Sequence, residues 1–285
     1  MLMLDQKIIN LYDEYTHKPL TRKDFMVRLV QLAGSTTAAL SMLALLESGC
    51  STAAKTPSDE LMTERITYPG GKGDMQAYVA RPKPNKKYAA VVVIHENRGL
   101  NAHIEDVTRR VARAGYLAIA PNALSPLGGT PANEDDARKL FTELKPEESL
   151  ENFIKVFDYL GNRKDCNDHF GCVGFCWGGA MSNRLAVNVP SLKAAVVFYG
   201  TQPVAADVPK IKAALQLHYA GIDERVNAGM VDYENALKAS GIRFEQYQYE
   251  GVNHAFHNDT STARYNEAAA KLAWQRTLAF FDREL

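Results

Sequence analysis

The sequence predicts an α/β fold, with a mostly parallel central sheet, helices on both faces and a hairpin at the N-terminal edge. Three observations lead there. Short apolar runs alternate with helical patterns, which implies parallel strands joined by crossovers. One of those runs, YAAVVVIHE at 88–96, is apolar almost throughout, as a strand covered on both faces must be. Loops follow the strands, and right-handed crossovers bring those loops to the one sheet edge where open α/β sheets hold ligands.

At 285 residues, the chain divides into an N-terminal extension, 1–56, and a single catalytic domain, 57–285. Within the extension, TRKDFMVRLVQLAGSTTAALSMLALLESGC at 21–50 sets basic residues ahead of a mildly apolar stretch, then small residues. That pattern is an export leader's, and TRKDFM resembles a twin-arginine leader with Lys23 in place of the second arginine. Export machinery would then be a partner and the periplasm the destination. A lipid on Cys50 is a further reading of LESGC. The alternative is a cytoplasmic protein in which residues 1–50 form amphipathic helices on the body or on a second subunit. STAAKTPSDE at 51–60 reads as a polar linker.

In the body, segments around Arg65–Tyr68 and Gln76–Ala80 flank PGGKGD and predict the hairpin. After the 88–96 strand, Ile104, Val107 and Val111 share a helix face, and Gly115 ends that helix. YLAIAP, CVGF, KAAVVFY and ALQLHYA are further strands. Tyr265, Ala268, Ala269 and Leu272 predict the inward face of the last helix. The loop 124–136, with Gly128 and Gly129 as hinge points, reads either as a lid or as an ordinary long loop.

Lysine plus arginine and aspartate plus glutamate both number 33, so no overall field draws the chain onto nucleic acid. The four cysteines, Cys50, Cys166, Cys172 and Cys176, are too few for a disulfide framework. A small-molecule enzyme is the class that remains. Cys166, His169, Cys172 and Cys176 have a metal-like spacing, but Cys172 and Cys176 straddle a strand end and would have to turn back onto one ion. In an exported protein Cys166 and Cys172 would be able to pair, leaving Cys176 as a redox-responsive thiol.

The chemistry centres on GFCWG at 174–178, a G-x-C-x-G between a strand and a helix. In a nucleophile elbow the glycines flank the reactive residue because other backbone comes too close for side chains. The helix after Cys176 aims its amides at the same point, which favours a thiolate and an oxyanion. Asp223 and His254 follow at later strand ends, in the order nucleophile, acid, base.

G-x-C-x-G with Trp177, the Asp223 and His254 stations, and IHENRGL after the third strand together resemble the dienelactone hydrolase family, which is carboxymethylenebutenolidase-like and has the α/β-hydrolase fold. The resemblance covers roughly residues 61–285. It implies hydrolysis of a small ester or lactone through an acyl-thioester, with a general carboxylesterase or thioesterase as the competing reading. Cys176 is then the nucleophile, His254 the base and Asp223 its orienting acid, and no metal or organic cofactor takes part. Backbone N–H groups of Trp177 and Asn97 would form the oxyanion hole, and Glu96 would meet the resting thiol and control its ionisation. Arg98 is a candidate for binding a substrate carboxylate. Family members that cleave dienelactone carry an arginine three residues past the base, where this chain has His257, so the substrate is expected to differ. Trp177, Tyr199, Tyr219 and Phe256 are candidates for lining the pocket.

Overall fold

The computed structural model describes residues 4–18, 20–47 and 56–285, so Cys50 and the first half of the linker lie outside it. The chain opens with three helices, α1 (Gln6–His17), α2 (Arg22–Ala33) and α3 (Thr36–Glu47). In α1, Ile8, Leu11, Tyr12 and Tyr15 recur at helical spacing, and they close on Phe25, Leu29, Leu43 and Leu46 as a small separate core. Each fully buried large apolar side chain contributes roughly 1.5–3 kcal/mol, which offsets the marginal stability of helices this short.

The body carries β1 (Leu61–Gly70) and β2 (Gly73–Pro82), paired antiparallel through the expected turn, where Gly73 takes φ 100°. Then come β3 (Tyr88–Ile94), α4 (Ala102–Arg113), β4 (Leu117–Pro121), α5 (Glu134–Phe141) and α6 (Pro146–Gly161). β5 (Cys166–Phe175), α7 (Trp177–Asn188), β6 (Leu192–Phe198) and β7 (Ala214–Ala220) follow. The chain closes with α8 (Glu224–Asn227), α9 (Met230–Ala239), β8 (Phe244–Tyr249) and α10 (Glu267–Glu284). The sheet has eight strands in the order β1-β2-β4-β3-β5-β6-β7-β8, and every pairing from β4 to β8 is parallel.

β3 shows why its sequence is apolar on every residue. Val91 and Val93 enter the core under α4 and α10, while Val92 and Ile94 enter the core under α6, α7 and α9. The last helix corrects one expectation. Its inward face is Ala269, Ala270, Ala273, Thr277, Phe280 and Phe281, whereas Ala268 is exposed and Leu272 is 42% exposed. The two phenylalanines near the C-terminus set the rotation of the helix, and a face read from its first turns alone misses them.

The N-terminal helices sit on the sheet edge that carries the loops. Asn97 Nδ2 donates to the Thr16 carbonyl at 2.8 Å, Arg98 donates to Tyr12 Oη at 3.1 Å, and Gln6 bonds Asn253. Arg22 pairs with Asp135, and the Arg138 guanidinium lies 3.7 Å over the Tyr15 ring.

Candidate active site

The turn after β5 has the geometry that its glycines require. Cys176 stands at φ 57° and ψ −113°, a strained backbone for a residue with a side chain. A Cβ at Gly174 would fall 1.9 Å from the Gly178 carbonyl oxygen, and one at Gly178 would fall 2.3 Å from that of Ile94. Only glycine fits either place, so the spacing G-x-C-x-G follows from backbone crowding. Trp177 opens α7, and its amide is among those with no partner inside the helix.

Asp223 follows β7 as the N-cap of α8, and His254 lies in the loop after β8. The Asp223 carboxylate does two jobs at once: Oδ1 caps α8 by accepting from the Val226 N–H at 3.2 Å, and Oδ2 accepts from His254 Nδ1 at 2.5 Å. This bond fixes the imidazole tautomer and leaves Nε2 free. That nitrogen is buried without a hydrogen-bond partner, within 4.8 Å of the Cys176 sulfur.

The sulfur's hydrogen bond goes elsewhere. His17, the last residue of α1, places Nε2 3.1 Å from Cys176 Sγ, and its ring meets that of His254 edge-on at 4.6 Å. Burial alone would push the thiol up, but His17 first and His254 second overcome it and hold Cys176 at about 6. Burial would likewise lower His254; Asp13, Cys176 and Asp223 outweigh it and raise the imidazole to about 10. Both shifts favour transfer of the thiol proton to the imidazoles beside it. No sequence motif pointed to His17, which ends a helix in a segment that reads as a leader.

Glu96 lines the same small cavity as Cys176. Its carboxylate accepts from Asn258 Nδ2 at 2.7 Å and from Tyr199 Oη at 3.5 Å, and it pairs with neither Arg98 nor Arg109. Arg98 is paired with Glu134 at 2.6 Å. Asn97 follows β3 beside the nucleophile turn, its side chain tied to α1. His95 is structural: it accepts from the Ala123 N–H, donates to the Glu96 carbonyl, stacks on Trp177 and is held at about 4 by burial. Tyr199 and Trp177 line a cavity of about 770 Å³ that reaches Cys176. Phe256, His257 and Tyr219 are buried and line neither this cavity nor a second one, of about 60 Å³, on the other side of His17. His257 instead stacks on Phe175 at 4.9 Å.

The loop 124–136 is pinned through Thr130, whose Oγ1 accepts from the Leu100 amide and donates to Asn122. The cover over the site comes from α1 and α5. Cys166 and Cys172 are both free. They stand six residues apart on β5, roughly 20 Å along an extended strand, too far to bridge. The metal-like set is not assembled either, because Cys172 and Cys176 belong to the cores on opposite faces of the sheet. Among the described residues, ligand-like spacing occurs at His17, Cys176 and His254 and at Asp13, Asp223 and His254, both within this site.

Residues 75–285 match the profile of the Dienelactone hydrolase family. A curated relative from Saccharolobus solfataricus, "Putative carboxymethylenebutenolidase", is 30% identical over 78% of this chain and 99% of its own. The Escherichia coli "Putative hydrolase fragment YghX" is 52% identical over 30% of this chain and 77% of its own. The crystal structure of a "Putative Dienelactone Hydrolase" from Klebsiella pneumoniae superposes with a TM-score of 0.69 at 29% identity, covering 78% of this chain and 99% of the other. A cysteine nucleophile, a histidine and an aspartate on this sheet edge, within a profile match that spans most of the chain, make it a member of the dienelactone hydrolase family on the α/β-hydrolase fold.

Proposed function

We propose that the protein hydrolyses small uncharged carboxylic esters or lactones through an acyl-thioester on Cys176. The observation that carries this reading is Cys176 in its strained turn beside the Asp223–His254 pair. The thiolate attacks the carbonyl carbon, and the oxyanion that forms meets the amides of Trp177 and Asn97. As the C–O bond breaks, His254 Nε2–H gives its proton to the leaving oxygen. His254 then takes a proton from water, the hydroxide adds to the thioester, the C–S bond breaks, and the acid departs with the thiolate restored.

The two cavities on either side of His17 support the substrate class. The large one, bordered by Tyr15, Phe141, Trp177 and Tyr199, suits an apolar or aromatic group, and the one of about 60 Å³ has room only for a small substituent. Arg98 already serves Glu134 and Tyr12, so no free guanidinium at that position awaits a carboxylate. The test is hydrolysis of p-nitrophenyl acetate and of a dienelactone by wild type beside Cys176→Ala. Turnover of the neutral ester, exceeding that of the dienelactone and lost in the mutant, supports the reading; equal rates in both proteins end it. A thioester substrate in the same assay separates thioesterase from esterase activity, since both pass through one intermediate.

The N-terminal helices bear on location. Their contacts with the catalytic loops favour a segment that stays with the working enzyme over a leader that is removed. The intact mass of the native protein is the check.

A further inference from the structure

His17 is bound on its far side in a way that fixes its protons. Nδ1 lies 2.8 Å from the Asp13 carbonyl oxygen, 3.0 Å from Thr16 Oγ1 and 3.5 Å from the Asp13 carboxylate. The Asp13 oxygens only accept, and the Thr16 hydroxyl has its own acceptor in the Asp13 carbonyl at 3.1 Å, so Nδ1 carries a hydrogen. Nε2 is then a lone pair in the neutral ring and an N–H in the charged one. A lone pair does not bond a thiolate, so the 3.1 Å contact with Cys176 is either S–H to neutral nitrogen or N–H⁺ to sulfur anion. One proton is shared across it in both cases. Asp13–His17 thus stands beside the sulfur as Asp223–His254 does, with the two imidazole rings meeting edge-on at 4.6 Å, and it comes from outside the family-matched residues.

We propose that His17 is a second catalytic histidine, which takes the Cys176 proton and so leaves His254 to serve the leaving group and the water. The step is balanced: the S–H bond breaks, an N–H bond forms at His17 Nε2, and the sulfur keeps the electron pair. When the thioester is hydrolysed and the sulfur departs as anion, the imidazolium at His17 faces it again. The inference rests on the hydrolase reading for its role in turnover, while the proton it shares with sulfur does not depend on any substrate.

The neighbours that bear on this titration are known. The acids lining the cavities around the site are Asp13, Glu14, Glu47, Glu96, Glu134, Asp135, Asp223 and Glu224, and the cations are Lys18, Arg22, Arg98, Arg138, Lys139, Arg225 and Arg264. His254, Tyr12, Tyr15 and Tyr199 line them too. None of these is altered in the test, so a change in profile reports on His17.

The experiment compares full-length wild type, His17→Ala and His17→Gln in two assays. The first is the rate of Cys176 alkylation by iodoacetamide from pH 5 to 10, with the labelled peptide identified by mass so that Cys176 is read apart from Cys50, Cys166 and Cys172. The second is kcat/KM for p-nitrophenyl acetate. Glutamine fills the space and can donate to sulfur but cannot accept a proton, so it guards against a mere packing effect. The expected result is an alkylation inflection at least half a pH unit higher in both variants, with kcat/KM lower by roughly tenfold or more. Unchanged alkylation profiles overturn the proposal, whether turnover stays within twofold or falls, since His17 would then be at most a wall of the site. If wild type turns over no ester, the hydrolase reading fails, and the alkylation profile still decides the role of His17.

Discussion

His254 and His17 face the same sulfur from regions built in different ways. His254 stands in a loop at a strand end, fully enclosed, with its partner Asp223 capping a helix of the same body. His17 closes a helix of a separate three-helix core that touches the body through polar contacts such as Asn97 to Thr16 and Arg264 to Asp13. The body fixes positions through crowded backbone, as at Gly174 and Gly178, while the segment contributes charge and cover. The two are coupled even so, because the charge of Asp13, in the segment, does most to raise His254 against its burial. A catalytic histidine supplied by the family's own fold is therefore tuned by a residue outside it.

The largest effect that would break this picture is at the nucleophile. Cys176→Ala is expected to abolish ester turnover with thermal unfolding close to wild type, because the small side chain leaves the turn's glycines in place. Turnover that survives would remove the thiol from the mechanism. His254→Ala is next, with a loss on the order of a hundredfold or more. In wild type, kcat/KM should rise through about pH 6 as the thiolate forms and fall through about pH 10 as His254 loses the proton that the leaving group needs. These are apparent values of a coupled pair. Asp13→Asn removes a charge that raises His254, so the alkaline limb moves to lower pH. A limb that stays put would show that the segment does not tune the body.

The body was more legible than the segment, for a physical reason. Runs such as 88–96 and the glycines at 174 and 178 are constrained by burial and crowding, and those constraints show in the residue types themselves. Asp223 and His254 were legible because chain order on such a sheet places both at one edge. His17 was not, since nothing local to the helical sequence LYDEYTH says which distant sulfur its last residue meets. Glu96 was legible as a site residue, but its partners were not: Asn258 and Tyr199 reach it only through tertiary packing. The basic start of α2 has the composition of a leader and also of a surface helix, and the helix's arginines Arg22 and Arg28 pair with Glu14, Glu47 and Asp135.

A substitution inside the small core separates the two regions without touching the site. Leu29 is fully buried against Tyr15 and Phe25 in that core. Leu29→Ala should cost the segment about 2–5 kcal/mol while leaving the eight-stranded body folded. Loosening α1 withdraws His17 from the sulfur, so the alkylation inflection should shift upward as in His17→Ala, and the main thermal transition should move little. A full-sized drop in the main transition, with the inflection unchanged, would mean that segment and body unfold as one unit and that the His17 contact is not sensitive to its helix.

The smallest effect is expected at His257, three residues past the base. The ring lies against both Phe175 and Phe198, at 4.9 and 5.0 Å, its Nδ1 is buried without a partner, and burial holds it well below the ordinary histidine range. A neutral ring in that place acts as an aromatic filler. His257→Phe keeps the stack and removes an unpaired buried nitrogen, a gain of about 1–3 kcal/mol set against about 1–3 kcal/mol for the larger ring. Stability should change little, and kcat/KM for a neutral ester should stay within twofold. A rise in KM confined to esters that carry a carboxylate would instead place His257 in contact with substrate, and the arrangement of the body around Phe175 would have to open during turnover to allow it.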